Sequence, residues 1–132
     1  MTDYMNLSLT DGEIAALSNL ALAHIGDCVY ELLARSCILS QKAYTNRDMH
    51  KATVGLVSAE AQAEAMKRIL PALSEEERAV YRRGRNTRVN SVPHHAGLGV
   101  YHAATGLECL FGWLYLKNRR ERINELFNAG LG

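Results

Sequence analysis

An all-α fold is predicted for this 132-residue chain by three observations. Helix-start signals recur: Thr10 with Glu13, Thr45 with Asp48 and Ser74 with Glu77 each place an acid three residues after a hydroxyl, the form of a capping box. Apolar residues return at three- and four-residue steps, as Leu17, Leu20, Ala21, Cys28, Leu32 and Leu33 do. Sustained apolar/polar alternation, the mark of a half-buried strand, occurs nowhere.

The elements follow in order. Thr10 caps a short helix from about Asp11 to Leu17. A central helix runs from about Asn19 to Leu39, and Leu22, Ile25 and Val29 widen its apolar arc so that most of its sides are buried. Residues 40–44 connect it to a helix that Thr45 opens and that continues through about Leu56. Ser58 caps the next, rich in alanine, which Pro71 stops because proline lacks the amide donor. Ser74 opens a helix for which Gly84 is a natural C-cap. From Arg85 to about Val100, Asn86, Asn90, Pro93, Gly97 and Gly99 break the pattern and predict a basic loop. Tyr101 to about Leu116 is again nearly all apolar, and Arg119 to Asn128 is amphipathic, with Ile123, Leu126 and Phe127 on one side.

Length and composition bound the function classes. One domain spanning residues 1–132 is expected, with 48% hydrophobic and 22% charged residues, which excludes a wholly disordered chain. No apolar run approaches the roughly 20 residues that cross a bilayer, and no basic segment precedes an apolar signal core, so no membrane partner and a cytoplasmic location are expected. Cys28, Cys37 and Cys109 lack CxxC spacing and read as small core residues. The net charge of +1 hides a division: residues 1–77 hold six Lys/Arg and eleven Asp/Glu, whereas residues 78–132 hold nine and three. Five arginines and no acid occur between Arg78 and Leu107, a stretch suited to phosphate backbone.

Two apolar helices each carry one carboxylate near the midpoint, Asp27 and Glu108. Gly26 precedes the first and Gly112 follows the second by one turn, and glycine permits close approach of another backbone. If the helices cross there, the acids face each other. Two carboxylates at close range do not both ionise without a cation, and oxygen ligation favours Mg²⁺. A Mg²⁺ site beside a basic loop points to phosphodiester cleavage. The alternative at this level is a pair of acids satisfied by core hydrogen bonds or arginines, for example an Asp27, Glu31, Arg35 stripe on a helix face.

The residues themselves narrow the choice. His24-Ile25-Gly26-Asp27-Cys28-Val29-Tyr30-Glu31-Leu32 resembles the signature helix of the ribonuclease III family, and Glu108-Cys109-Leu110-Phe111-Gly112-Trp113-Leu114-Tyr115-Leu116 resembles its second acidic motif. Between them, Met49-His50-Lys51-Ala52 through Leu56-Val57-Ser58-Ala59-Glu60-Ala61-Gln62-Ala63 is similar to the family's middle segment. The resemblance implies an all-helical endonuclease that dimerises through its signature helices and cuts both strands of double-stranded RNA with Mg²⁺, for which Mn²⁺ is a substitute. Asp27 and Glu108 are then the catalytic residues and metal ligands.

The chain departs from the full-length enzymes at two places. Where they carry a glutamate and an aspartate, it has Ala23 and Thr105, and no separate double-stranded-RNA-binding domain is expected within its length. Both departures resemble the Mini-ribonuclease III branch, as does Arg82-Arg83-Gly84-Arg85-Asn86. That branch implies trimming of the large-subunit (23S) ribosomal RNA precursor, assisted by a large-subunit ribosomal protein. A-form RNA is recognised by shape through phosphate and 2′-hydroxyl contacts. Arg82, Arg83, Arg85, Asn86 and Arg88 are the expected suppliers, with His50 and Lys51 as weaker candidates. His94, His95 and His102 are not expected to bind metal, since an oxygen-ligand site needs no imidazole. Tyr101, Phe111, Trp113 and Tyr115 read as core or dimer contacts. Two rival readings remain: a catalytically inactive RNA-binding or dimerisation module of the same fold, and a helical phosphohydrolase acting on a small phosphate ester.

Overall fold

Hydroxyl residues set the starts of five helices. Thr10 and Glu13 exchange backbone and side-chain hydrogen bonds in a complete capping box that opens α1 (Asp11–Ala15), and Ser74 and Glu77 do the same for α5 (Glu75–Arg85). Ser18, Thr45 and Ser58 each accept one orphan N–H, opening α2 (Asn19–Ser40), α3 (Asn46–Val57) and α4 (Ala59–Ile69). Two further helices, α6 (Leu98–Leu116) and α7 (Arg120–Leu131), complete the computed structural model, which describes residues 1–41, 45–87 and 97–132. No strand occurs among the described residues, and the fold is all-α as the patterning requires. No helix of the described residues is long and apolar enough to cross a membrane.

The most apolar helix, α6, is the one the others surround. It packs against α2, α4, α5 and α7 and buries an unbroken run from Cys109 to Leu114. Phe111 is fully buried, with the Tyr30 ring edge-on at 5.1 Å, and Tyr30 in turn meets Phe127 of α7 at 5.4 Å.

Paired glycines let helices approach α6 this closely. A Cβ on Gly26 would overlap the Glu108 carbonyl oxygen, and one on Gly112 would overlap the Leu22 carbonyl oxygen, so α2 and α6 touch backbone to backbone. On the other side of α6, a Cβ on Gly84 would lie 2.7 Å from Cys109 Sγ, and one on Gly106 would lie 2.7 Å from the Tyr81 ring. Gly84 therefore serves a purpose other than the C-cap its position implied. The α5 helix continues through Arg85 to an Asn86 cap, and Gly84 is buried where α5 presses on α6.

The α4 helix ends at Ile69, before Pro71, as expected, and Pro71 sits near the start of a single 3₁₀ turn, Leu70–Ala72, where the missing amide donor costs nothing. Two other expectations are corrected. The α6 helix begins at Leu98, so Gly99 and Val100 belong to it rather than to the basic loop. The inward face of α2 consists of Leu22, Gly26, Val29, Tyr30, Ala34 and Ile38. Leu20 and Leu32, which the apolar spacing placed in the core, are 56% and 63% exposed, Cys28 is exposed too, and so is Leu39 near the helix end. Cys109 is the cysteine that the core encloses.

The α5 helix is fastened at both ends. At its start the buried Glu77 carboxylate accepts from Arg122 Nη2 and Nε at 2.8 and 2.9 Å, which ties it to α7 and holds the carboxyl below its usual range. At its end Asn19 of α2 binds it, as described below.

The glycine contacts predict opposite responses to one chemical change. Gly26→Ala should destabilise the fold by at least about 2 kcal/mol, because backbone must move to admit the methyl group. Gly55→Ala, with nothing within 4 Å of the added Cβ on α3, should stabilise by about 0.5–1 kcal/mol. Chemical denaturation of the two variants measures both signs.

Candidate active site

The α2/α6 crossing brings Asp27 and Glu108 together. Because Gly26 lies directly against the Glu108 backbone, the next residue of α2 has its carboxyl beside that of Glu108, and the two are hydrogen-bonded. Asp27 is exposed and Glu108 half-buried, so the pair forms an acidic site with one open side. Glu108 is pushed up to about 8, first by burial and then by the hydrogen bond to Asp27 and its charge. The neighbouring Cys109 thiol is raised to about 11, mainly by burial and further by Glu108. The alternative stripe exists only in part. Arg35 pairs with Glu31 at 3.1 Å, but Asp27 faces Glu108.

A proton shared by two carboxyls can be replaced by a cation, and this donor set fits a hard divalent ion. Both candidate ligands offer carboxyl oxygens, and among the described residues no cluster of three or more His, Cys, Asp or Glu could enclose an ion. Such an ion would keep open positions for water and phosphate, the habit of Mg²⁺ held by one or two carboxylates. Ala23 is half-buried and Thr105 is buried with its hydroxyl donating to the Tyr101 carbonyl, so neither position supplies another acid.

The expected RNA-binding residues fall into two groups. Arg82, Arg83, Arg85 and Asn86 stand together, exposed, on the last turn of α5 and its cap. Arg85 lies over the Tyr81 ring at 5.7 Å, and among the described residues none of these arginines is in an ion pair. Their charge is therefore available to phosphate. Arg88, His94 and His95 lie outside the described residues. His50 and Lys51 are on α3, away from this group; His50 lines a cleft with Arg35, Ile38 and Asn46 at the far end of α2.

Asp27 lies midway along α2 between the two groups, about 12 Å by helical rise from Asn19, which touches the end of α5, and as far from Arg35. Of the remaining candidates, Phe111 and Trp113 are core, Tyr101 and Tyr115 are half-buried, and the Tyr115 hydroxyl donates to the Met5 carbonyl. His102 has no carboxylate cluster around it, and its buried Nδ1 lacks a hydrogen-bond partner.

Sequence reasoning missed Asn19. Its Nδ2 donates to the Arg83 carbonyl and to Thr87 Oγ1, while its own carbonyl accepts from the Cys109 thiol at 3.1 Å. No local signal marks it, because all three partners are distant in sequence.

The raised Glu108 value predicts a stability profile. The folded chain without divalent cation holds a proton that the unfolded chain releases near the ordinary glutamate value of 4.5, so stability is full below that pH and is lost as pH rises through about 8. Glu108→Gln removes this loss and should raise the melting temperature of the cation-free protein at pH 8 by about 5 °C or more. Melting curves in chelator between pH 5 and pH 9 read the difference.

Comparison with known proteins places the site in a family. The ribonuclease III domain matches residues 20–119, which include both acids and the end of α5. The chain is 46% identical over 123 residues to a Mini-ribonuclease 3 of Thermoanaerobacter sp. (strain X514), covering 93% of this chain and 87% of that one. It is 38% identical to a Mini-ribonuclease 3 of Clostridium tetani, covering 93% of this chain and 82% of the relative. An X-ray structure of a Fusobacterium nucleatum protein superposes with a TM-score of 0.80 at 31% identity, covering 87% of this chain and 92% of that one. The chain therefore belongs to the ribonuclease III family, whose enzymes are divalent-metal-dependent endoribonucleases that act on double-stranded RNA.

Proposed function

We propose that residues 1–132 form one catalytic domain that cleaves double-stranded RNA with Asp27 and Glu108 as its metal ligands, and that its substrate is the large-subunit (23S) ribosomal RNA precursor. The observation that carries this reading is the meeting of the two carboxyls at the glycine crossing, with Glu108 held in a form that only a proton or a cation satisfies. An inactive binding module would gain nothing from this arrangement, since setting an exposed carboxylate against a half-buried one costs stability. The rRNA substrate rests on likeness to Mini-ribonuclease 3 proteins. By the same likeness a large-subunit ribosomal protein assists, and the reaction takes place in the cytoplasm.

The metal is Mg²⁺, with Mn²⁺ as substitute; when bound it supplies a polarised water and neutralises charge on the scissile phosphate. Asp27 and Glu108 orient it from one open side of the chain. Arg82, Arg83, Arg85, Asn86 and Arg88 hold phosphates of the duplex, with His50 and Lys51 at the other end of α2. Water attacks in line and the ribose 3′-oxygen leaves. Selectivity for duplex over single strand comes from spacing, because the phosphate contacts and the acid pair are held on packed helices.

Cleavage of both strands requires two such centres, and the exposed face of α2 supports a homodimer. Leu20, Leu32 and Leu39 lie on that face, with His24 and Cys28 between them. Leucines this exposed on a helix whose other side is core mark a seam for a second copy.

Asp27→Asn and Glu108→Gln should each lower Mg²⁺-dependent cleavage of a duplex RNA by about 10³-fold or more while duplex binding survives. Appreciable cleavage by both variants would exclude the assignment. Replacing Arg82, Arg83 and Arg85 together by alanine should weaken duplex binding and lower its dependence on salt by about 2–3 in the log–log slope, because fewer counterions are released. Gel-shift titrations at several salt concentrations test this apart from the chemistry.

A further inference from the structure

The basic end of α5, packed on α6 at Gly84, is tied to α2 by one side chain. A helix leaves its last carbonyls without intrahelical donors, and water satisfies them wherever the end is open. Here Asn19, the first residue of α2, takes that place: Nδ2 donates to the Arg83 carbonyl at 3.3 Å and to Thr87 Oγ1 at 3.0 Å. The Thr87 hydroxyl closes the triangle by donating to the same Arg83 carbonyl at 2.9 Å. Both amide hydrogens of Asn19 are thereby used. Asn19 and Thr87 are half-buried and the bond between them is partly buried, while both bonds to the Arg83 carbonyl lie at the surface. From the opposite side, the Cys109 thiol donates to the Asn19 carbonyl. Cys109 is the neighbour of Glu108, and Asn19 stands on the same helix as Asp27. One residue thus joins the helix bearing each acid to the helix end bearing the arginines.

We infer that Asn19 is a positioning residue for RNA binding: it fixes the direction in which Arg82, Arg83 and Arg85 present their charge relative to the acid pair. The inference rests on the RNA-binding role given above to those arginines. Without the Asn19 amide, the α5 end remains helical and attached through Gly84, but its last turn loses its lateral tie to α2. The arginines then sample directions that do not match duplex phosphates, and affinity falls with no change in the acid pair.

Two variants separate this from a structural role. Asn19→Ala removes the donors. Asn19→Asp keeps the shape and can accept from the Thr87 hydroxyl, but it has no donor for the Arg83 carbonyl, and an acid in the first turn of α2 is favoured by the helix dipole, so the fold is retained should Asn19→Ala lose it. In Mg²⁺-dependent cleavage of a duplex RNA, both variants should raise KM about tenfold, the size of two modest hydrogen bonds, with kcat within about twofold of wild type. In a background with Arg82, Arg83 and Arg85 replaced by alanine, Asn19→Ala should add less than about twofold, since the groups it positions are gone.

An unchanged KM in the single variants, or the full tenfold effect in the arginine-free background, overturns the role of Asn19 while leaving the arginine reading intact. A fall in kcat at constant KM also overturns it, by placing the effect at the acid pair through Cys109. If the triple arginine variant binds duplex RNA like wild type, the arginine reading fails and takes this inference with it.

Discussion

The site depends on backbone contact between α2 and α6. Gly26 and Gly112 remove the two side-chain stubs that would hold the helices apart, and each presents its Cα to a carbonyl of the other helix. Ordinary helix packing leaves axes about 8–10 Å apart, with side chains between. Here the missing Cβ atoms bring the axes close enough for short acidic side chains to meet. Asp27 needs no long reach, and Glu108 cannot turn away because its own backbone forms the contact. The acid pair is therefore a product of the packing, enforced by buried Leu22, Val29, Leu110 and Phe111 around it.

The two acids of the pair differ in their surroundings. Glu108 is half-buried and raised, Asp27 is exposed, and the open side lies on the outward face of α2. A divalent cation held there, as proposed, would take the place of the proton that the two carboxyls share. The same outward face carries the exposed leucines, and the unpaired arginines of α5 are tied to its beginning through Asn19. One helix therefore relates Asp27, the proposed seam and the arginines proposed to contact phosphate.

Much of this was legible before folding. The hydroxyl caps at Thr10, Ser58 and Ser74 are local chemistry, and the helices begin where they stand. The acids stood out because they interrupt apolar helices, and the nearby glycines marked the crossing. The apolar spacing of α2 misled about its inward face, because the helix carries more than one apolar stripe and spacing does not say which one another helix covers. Gly84 misled for a related reason: a glycine near a helix end reads equally as a cap or as a contact, and only the position of Cys109 decides. Asn19 was invisible, since its partners lie far along the chain at residues 83, 87 and 109. Local signals reveal helix ends and odd residues, while lateral ties depend on tertiary neighbours.

The central claim is that Asp27 and Glu108 exchange a shared proton for a divalent cation. Titration of the cation-free protein with Mn²⁺ near pH 7, in buffers of different ionisation enthalpy, measures the protons released for each ion bound. The account predicts release of about one proton per ion from the wild type and almost none from Glu108→Gln, whose remaining carboxylate binds the ion more weakly. Mn²⁺ binding of equal affinity and equal proton release in the two proteins would contradict it.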